Sequence, residues 1–136
     1  IIPVRVLEIG EINEAFDWVA TNIKKTLSKD FTSQESDIER LQKLIDSGKM
    51  STDQRQVWEN IGLALGTIIE NEMDGMEWVT VVEGRKEYPA LCFKGSSLLI
   101  QPSFLIWDKV KQKQPIHLKH EFDRIKQQVE EYLNKK

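Results

Sequence analysis

Apolar residues recur every three or four positions through the first half of the chain, with charged residues between them. This spacing places the apolar residues on one face of a helix. It predicts helices over about residues 11–28, 34–47 and 52–71. The stripes predicted to be buried are Ile12, Phe16, Val19, Ile23 and Leu27 in the first helix, Ile38, Leu41, Leu44 and Ile45 in the second, and Val57, Trp58, Ile61, Ala64, Leu65, Ile68 and Ile69 in the third.

The periodicity of the sequence changes to about 2 after Asp74 and Gly75, as expected for β-strands. Residues 78–82 are β-branched or aromatic and predict a first strand. A turn at residues 83–86 would lead to a second strand over 88–93, in which Pro89 favours an edge position or a strand start. Two further strands are expected, over 98–101 and, after an interruption at Pro102, over 104–110.

The chain closes with a predicted amphipathic helix at about residues 116–134, whose expected buried stripe is Leu118, Phe122, Ile125, Val129 and Leu133. Helices come first, an antiparallel meander of three to four strands follows, and a helix that packs on one sheet face ends the chain. This order defines the α+β class. Because no linker rich in Pro, Gly or Ser divides the sequence, we expect residues 1–136 to form a single domain.

Two glycines and a cap distinguish the third predicted helix. Ser51 or Thr52 is expected to cap its N-terminus. Gly62 and Gly66 lie four residues apart on one face, and each costs ~1 kcal/mol relative to alanine inside a helix. We therefore expect another part of the backbone, in the sheet, to approach this face closely.

The composition excludes several classes of protein. Among the 136 residues, 19 are basic and 22 are acidic, and the net charge of −3 is not that of a nucleic-acid-binding protein. No apolar run approaches the ~20 residues of a membrane-spanning helix. The first six residues do not resemble an intact secretory signal, and the single cysteine, Cys92, favours the cytoplasm. We expect neither nucleic acid nor membrane as a partner.

Several short motifs occur in a characteristic order along the chain. They are Leu41-Gln42, Leu44-Ile45-Asp46 with Gly48, Ile61-Gly62-Leu63-Ala64-Leu65-Gly66, Glu77-Trp78-Val79, Gln101-Pro102, Ile106 and Trp107-Asp108-Lys109-Val110. This set resembles bacterial domain-of-unknown-function family 3806 over residues 38–134. The sequence departs from the family pattern at 107–109, where a basic pair is expected. The resemblance implies a fold, but it implies no chemistry.

The residues that could carry catalysis or bind a metal form no recognised motif. His117 and His120 are three residues apart and could share a metal ion, but no third ligand stands at a known zinc spacing. Cys92 lies in a predicted strand, and nothing in the sequence places a base beside it. We therefore expect no catalytic residue, no metal and no cofactor, and a protein that is not an enzyme.

One tryptophan is a candidate binding residue. If Leu105 or Ile106 points into the core from a strand, Trp107 faces the other side of the sheet. An exposed tryptophan on a sheet face could anchor a partner. The alternative is that Trp107 packs beneath a helix or a loop.

Acidic residues are concentrated between positions 70 and 87, against two basic residues, Arg85 and Lys86. Ordinary solvated surface would explain this pattern, and so would a recognition surface for a basic partner. The partner-binding residues predicted from the sequence are Glu70, Glu72, Asp74, Glu77, Glu83 and Trp107.

These observations favour a small bacterial protein-binding module without enzymatic activity. Its most concrete form is an immunity protein that blocks the active site of a basic toxin domain through an acidic surface. Two alternatives stay open. One is a structural domain that self-associates through Trp107 and the sheet, and the other is a small hydrolase that uses Cys92 or the pair of histidines.

Overall fold

The structure is a computed structural model that describes residues 1–134. A short N-terminal strand and three helices precede a β-hairpin, and a short strand and two helices follow it. The elements are β1 (Ile2–Pro3), α1 (Val6–Leu27), α2 (Asp37–Asp46), α3 (Arg55–Glu72), β2 (Met76–Glu83), β3 (Lys86–Phe93), β4 (Leu99–Ile100), α4 (Pro102–Lys111) and α5 (Leu118–Asn134). The predicted α+β class with a C-terminal amphipathic helix is confirmed.

The four strands form one antiparallel sheet in the order β1-β2-β3-β4. Pro89 lies within β3, opposite Thr80 of β2. On the other side of β3, β4 pairs only with Leu91 and Cys92. No strand of the described chain therefore lies beside Pro89 on that side, which is why a residue without an N–H group is tolerated there.

The prediction of a strand over residues 104–110 is wrong, because this segment belongs to helix α4. Pro102 occupies the start of α4, where its fixed φ favours a helix and its missing N–H costs nothing. Ile106, one turn later, is fully buried on the helix. The fourth strand of the sheet is instead β1, which pairs with Val79 and Thr80 of β2.

Glycines at the centre of α3 allow α4 to cross it closely. A Cβ atom added to Gly62 would lie 2.0 Å from the carbonyl oxygen of Pro102. One added to Gly66 would lie 2.7 Å from the ring of Trp78 and 3.0 Å from the ring of Pro102. The expected close approach is confirmed, but the backbone that approaches belongs to α4 and not to the sheet.

Alternate side chains of the hairpin pack into two cores. Met76, Leu91 and Phe93 join the large core formed with the helices. Val79 and Val81, with Tyr88 and Ala90, form a smaller cluster, and Phe104 of α4 packs against it. The helices and the sheet are therefore held together by burial of apolar side chains.

Gln42 of α2 fixes the beginning of α5. Its side-chain Nε2 donates a hydrogen bond to the carbonyl of Ile116 (2.9 Å), and its Oε1 accepts one from the backbone N–H of Leu118 (2.8 Å). Helix α5 then packs on α2 and α3 and reaches the sheet where Tyr132 contacts Phe93. Four residues of its predicted stripe are buried or nearly so, but Leu133 is exposed.

A buried carboxylate ties the start of α1 to the sheet. Glu8 is fully buried and accepts hydrogen bonds from Arg5 Nε and from Thr80 Oγ1, each at 2.7 Å. Arg5 also donates to Glu87 of β3. The hydrogen bond from Arg5 lowers the pKa of Glu8 despite its burial.

The N-terminus of α3 differs from the prediction. Its cap position is Gln54, and no side chain caps it. Ser51 instead donates a hydrogen bond to the carboxylate of Asp53.

Among the described residues, no helix combines the length and the apolar character needed to cross a bilayer.

Candidate functional site

Four of the predicted partner-binding residues occur in the last turn of α3 and in the segment that follows it. Glu70 and Glu72 belong to the last turn of this helix, Asp74 lies in the turn that follows, and Glu77 is near the start of β2. All four are exposed, and none is ion-paired within residues 1–134. We call these four residues the acidic edge.

The acidic edge has little compensation from its surroundings. The last turn of α3 contains no basic residue, so the negative pole of the helix dipole adds to the four carboxylates. Asn71 donates a long hydrogen bond, 3.4 Å, to Glu72. The nearby Lys94 donates its backbone N–H to Gly75, but its side chain forms no ion pair in the described chain. The edge therefore carries uncompensated negative charge.

Glu83, although predicted with this group, lies elsewhere. It is six residues beyond Glu77 on β2, about 20 Å away at the rise of a strand. Its carboxylate accepts a hydrogen bond of 2.9 Å from the hydroxyl of Tyr88. Glu83 is therefore held within the hairpin and is not part of the acidic edge.

Trp107 is on α4 and not on a strand, so the prediction of a tryptophan on an open sheet face is wrong. Its ring is half-buried, packs against the large core and lies 5.9 Å from the guanidinium of Arg55. Arg55 begins α3, about 22 Å along this helix from Glu70 at 1.5 Å per residue. The structure therefore does not bring Trp107 and the acidic edge together.

A second feature, which the sequence did not indicate, is a cleft of about 850 Å³. It is lined by α1, the N-terminal half of α3, the β2–β3 turn with the start of β3, and the first turn of α4. We call it the polar cleft. Its charged lining residues are Glu11, Glu14, Arg55, Glu59, Arg85, Lys86 and Glu87.

Only part of the charge in the polar cleft is neutralised internally. Arg55 pairs with Glu59, and Arg5 pairs with Glu87 at 2.7 Å. Glu11 is not ion-paired in the described chain. Its partial burial raises its pKa, and the carboxylates of Glu8, Glu59 and Glu14 raise it further. The ionised form of Glu11 is therefore less favourable in the cleft than it would be in water.

The histidines and the cysteine differ in their surroundings. His117 and His120 are both exposed. Cys92 is half-buried, and its thiol contacts the carbonyl of Phe93 at 3.7 Å. Within residues 1–134, no three His, Cys, Asp or Glu side chains are grouped so as to hold a metal ion.

The fold places this chain among α+β domains in which helices pack on a small antiparallel sheet. The model of the family described as a domain of unknown function (DUF3806) matches residues 37–122. The chain belongs to this family, as the sequence motifs predicted. In this structure, Gln42, Gly62, Gly66 and Pro102 of those motifs make the helix contacts described above, so their role here is structural.

One solved structure is similar to this chain over nearly its whole length. It is the crystal structure of a protein from Bacteroides thetaiotaomicron VPI-5482 at 1.50 Å resolution, with 40% sequence identity and a TM-score of 0.84. The match covers 89% of this chain and 44% of that one, so this chain spans less than half of the Bacteroides protein. No curated protein matches the chain.

Proposed function

We propose that the chain is a protein-binding module without enzymatic activity, and that the acidic edge binds a basic surface of another protein. The observation that carries this proposal is the group of four exposed, unpaired carboxylates at the negative pole of α3. Such a field attracts a basic partner and accelerates its association.

The energetics of folding support the same conclusion. Negative charges near the C-terminus of a helix are unfavourable, because each one is repelled by the negative pole of the helix dipole, by ~0.3–1 kcal/mol. Lysine would serve the fold better at this position. Locally unfavourable choices are expected where a surface serves binding and not folding.

The more specific form of the proposal is an immunity protein that covers the active site of a toxin domain. The size and the acidity of the chain support it, because a toxin that acts on nucleic acid has a basic active-site surface. The bacterial source of the similar structure is compatible with this role. The self-association alternative loses its main support, since Trp107 does not stand on an open sheet face.

The test begins with the proteins encoded beside the gene. Each neighbour is co-expressed with the chain, and a toxin is identified by growth arrest that the chain relieves. A stable complex and relief of the arrest support the proposal. A neighbouring toxin that the chain neither binds nor neutralises contradicts the immunity role.

Two charge-reversal variants then locate the binding surface. Glu72→Lys/Asp74→Lys changes the acidic edge, whereas Asp17→Lys/Asp53→Lys makes the same change in net charge at exposed positions away from it. We expect the first variant to lose protection and the second to keep it. Equal loss in both variants would mean that net charge, and not the acidic edge, determines binding.

A further inference from the structure

The polar cleft lies apart from the acidic edge and goes beyond the function proposed above. Its volume of about 850 Å³ falls within the range of small-molecule sites, ~300–1,000 Å³. It is lined by residues from four separate elements, so the complete fold is needed to form it. Three independent features of its lining point to one class of ligand.

The first feature is the charge that remains after internal ion pairs are formed. Glu11 and Glu14 of α1 have no ion-pair partner in the described chain, and neither have Arg85 and Lys86 of the β2–β3 hairpin. The two sets have opposite sign and belong to different elements that line the same cleft. A ligand that carries both an ammonium group and a carboxylate would complement them.

The second feature is a pair of largely buried side chains whose hydrogen-bonding groups are not all used within the described chain. Ser103, on the first turn of α4, is 4% exposed, lines the cleft, and makes no side-chain hydrogen bond within residues 1–134. Asn60 is 9% exposed and accepts a hydrogen bond from Gln56, but its amide N–H groups donate to no described residue. Among the described residues, the one enclosed side-chain nitrogen or oxygen without a hydrogen-bond partner is Trp107 Nε1. The free polar groups of Ser103 and Asn60 therefore reach the surface and are available to a ligand in the cleft.

The third feature is aromatic surface in the same cleft. Tyr88 and Phe104 pack edge to face, with 4.7 Å between ring centroids, and Trp18 of α1 also lines the cleft. Gln101, which precedes α4, donates a hydrogen bond of 3.1 Å to the hydroxyl of Tyr88 and holds this ring beside the start of α4. Apolar side chains of a ligand could pack on these rings.

We propose that the polar cleft binds a short peptide with free termini. The ammonium group of the peptide pairs with Glu11 and Glu14. The C-terminal carboxylate of the peptide is bound by Arg85 and Lys86 and accepts a hydrogen bond from the hydroxyl of Ser103. The start of α4 favours the same end of the peptide, because a helix N-terminus attracts negative charge. A bound ammonium group would offset the burial and the neighbouring carboxylates that raise the pKa of Glu11.

The test is isothermal titration calorimetry with defined peptides. The probes are alanyl-phenylalanine and alanyl-alanyl-phenylalanine, each with free termini, with an acetylated N-terminus, or with an amidated C-terminus. We expect a free peptide to bind, and we expect each block to weaken binding by about tenfold or more, the usual loss for a charged hydrogen bond.

Variants assign each end of the peptide to its residues. Glu11→Gln/Glu14→Gln should weaken binding of the free peptide by about tenfold. In this variant, acetylation of the peptide's N-terminus should then have almost no further effect on affinity. Arg85→Ser/Lys86→Ser should likewise weaken binding of the free peptide, and amidation of the peptide's C-terminus should then have almost no further effect on affinity. The control, Glu70→Gln/Glu72→Gln, should bind as the wild type does, and thermal unfolding should show that all variants are folded.

Two results would overturn the proposal. One is the absence of saturable binding of either free peptide up to about 10 mM, ten times the Kd of a weak specific complex. The other is binding that survives either block unchanged, because a ligand recognised at one end only does not need both sets of charges. Loss of binding in the Glu70→Gln/Glu72→Gln control would also refute the assignment to the polar cleft.

Discussion

Replacing Gly62 by alanine tests how α4 packs on α3. In an open helix this change would stabilise the protein by about 0.5–1 kcal/mol, since alanine is the better helix former. Here the new Cβ would lie 2.0 Å from the carbonyl oxygen of Pro102 and 2.8 Å from its carbonyl carbon. Both are backbone atoms, so the first turn of α4 would have to shift. Overpacking costs ~1–3 kcal/mol, and a contact this short belongs at the upper end or beyond.

We therefore expect Gly62→Ala to lower the free energy of unfolding by about 2 kcal/mol, once the helix propensity is subtracted. The assay is urea unfolding followed by circular dichroism. Gly10→Ala is the matched control, because Gly10 lies in α1 with nothing within 4 Å of an added Cβ. This control should gain about 0.5–1 kcal/mol. If Gly62→Ala were as stable as Gly10→Ala, the close crossing of α3 and α4 would be refuted.

Further predictions concern the other glycine, two carboxylates and metal content. Gly66→Val should lose ~1–3 kcal/mol in the same urea assay, since its Cβ would meet the Trp78 and Pro102 rings. Glu8→Gln should destabilise the protein at pH 7, by about 1–3 kcal/mol for a buried charged hydrogen bond. Because the folded-state pKa of Glu8 is lowered, the wild-type advantage begins to fall below the ordinary glutamate pKa of about 4.3. It is lost as pH drops through the lower folded-state pKa, so the two unfolding midpoints should converge only in that more acidic range. Glu11→Gln should stabilise at pH 7 by about 0.2–0.5 kcal/mol, the effect of a like-charged neighbour on a helix, and this gain should shrink on acidification because the pKa of Glu11 is raised. A chelator should leave the melting temperature unchanged, and a large drop would indicate a metal site.

The sequence predicted the elements that have a long, regular apolar pattern. Helices α1, α2, α3 and α5 and the hairpin strands were all identified, because each buries one face whose period is visible in the sequence. The glycines of α3 also indicated a close contact correctly. What they could not indicate was the neighbour, since the residue that approaches Gly62 is Pro102, forty positions later.

Helix α4 and strand β1 were not predicted, and the reasons are physical. The aromatic and β-branched residues near Phe104 and Ile106 suit a strand as well as a helix, and Pro102 is compatible both with an interrupted strand and with the start of a helix. Strand β1 contains two residues, one of them Pro3, and it exists because β2 offers an edge to pair with. A strand of two residues is determined by tertiary contacts and not by local pattern.

The two candidate sites also differ in how far the local sequence reveals them. The charge of the acidic edge is visible in the sequence because its four residues are close together along the chain, whereas Glu83 and Trp107, predicted with them, lie elsewhere. The polar cleft could not be predicted, because its residues come from four elements and form no motif. One signal was present: Glu11, Glu14 and Trp18 stand at helical spacing on one face of α1, outside its buried stripe.

The association rate constant tests most directly whether the acidic edge binds a basic partner. The measurement uses the toxin identified by co-expression, at low and at physiological salt, with the wild type, Glu72→Lys/Asp74→Lys and Asp17→Lys/Asp53→Lys. We expect the wild-type rate to fall steeply with salt, the first variant to associate about tenfold or more slowly at low salt, and the second to behave as the wild type. A Glu72→Lys/Asp74→Lys variant that binds as fast and as tightly as the wild type would contradict the claim.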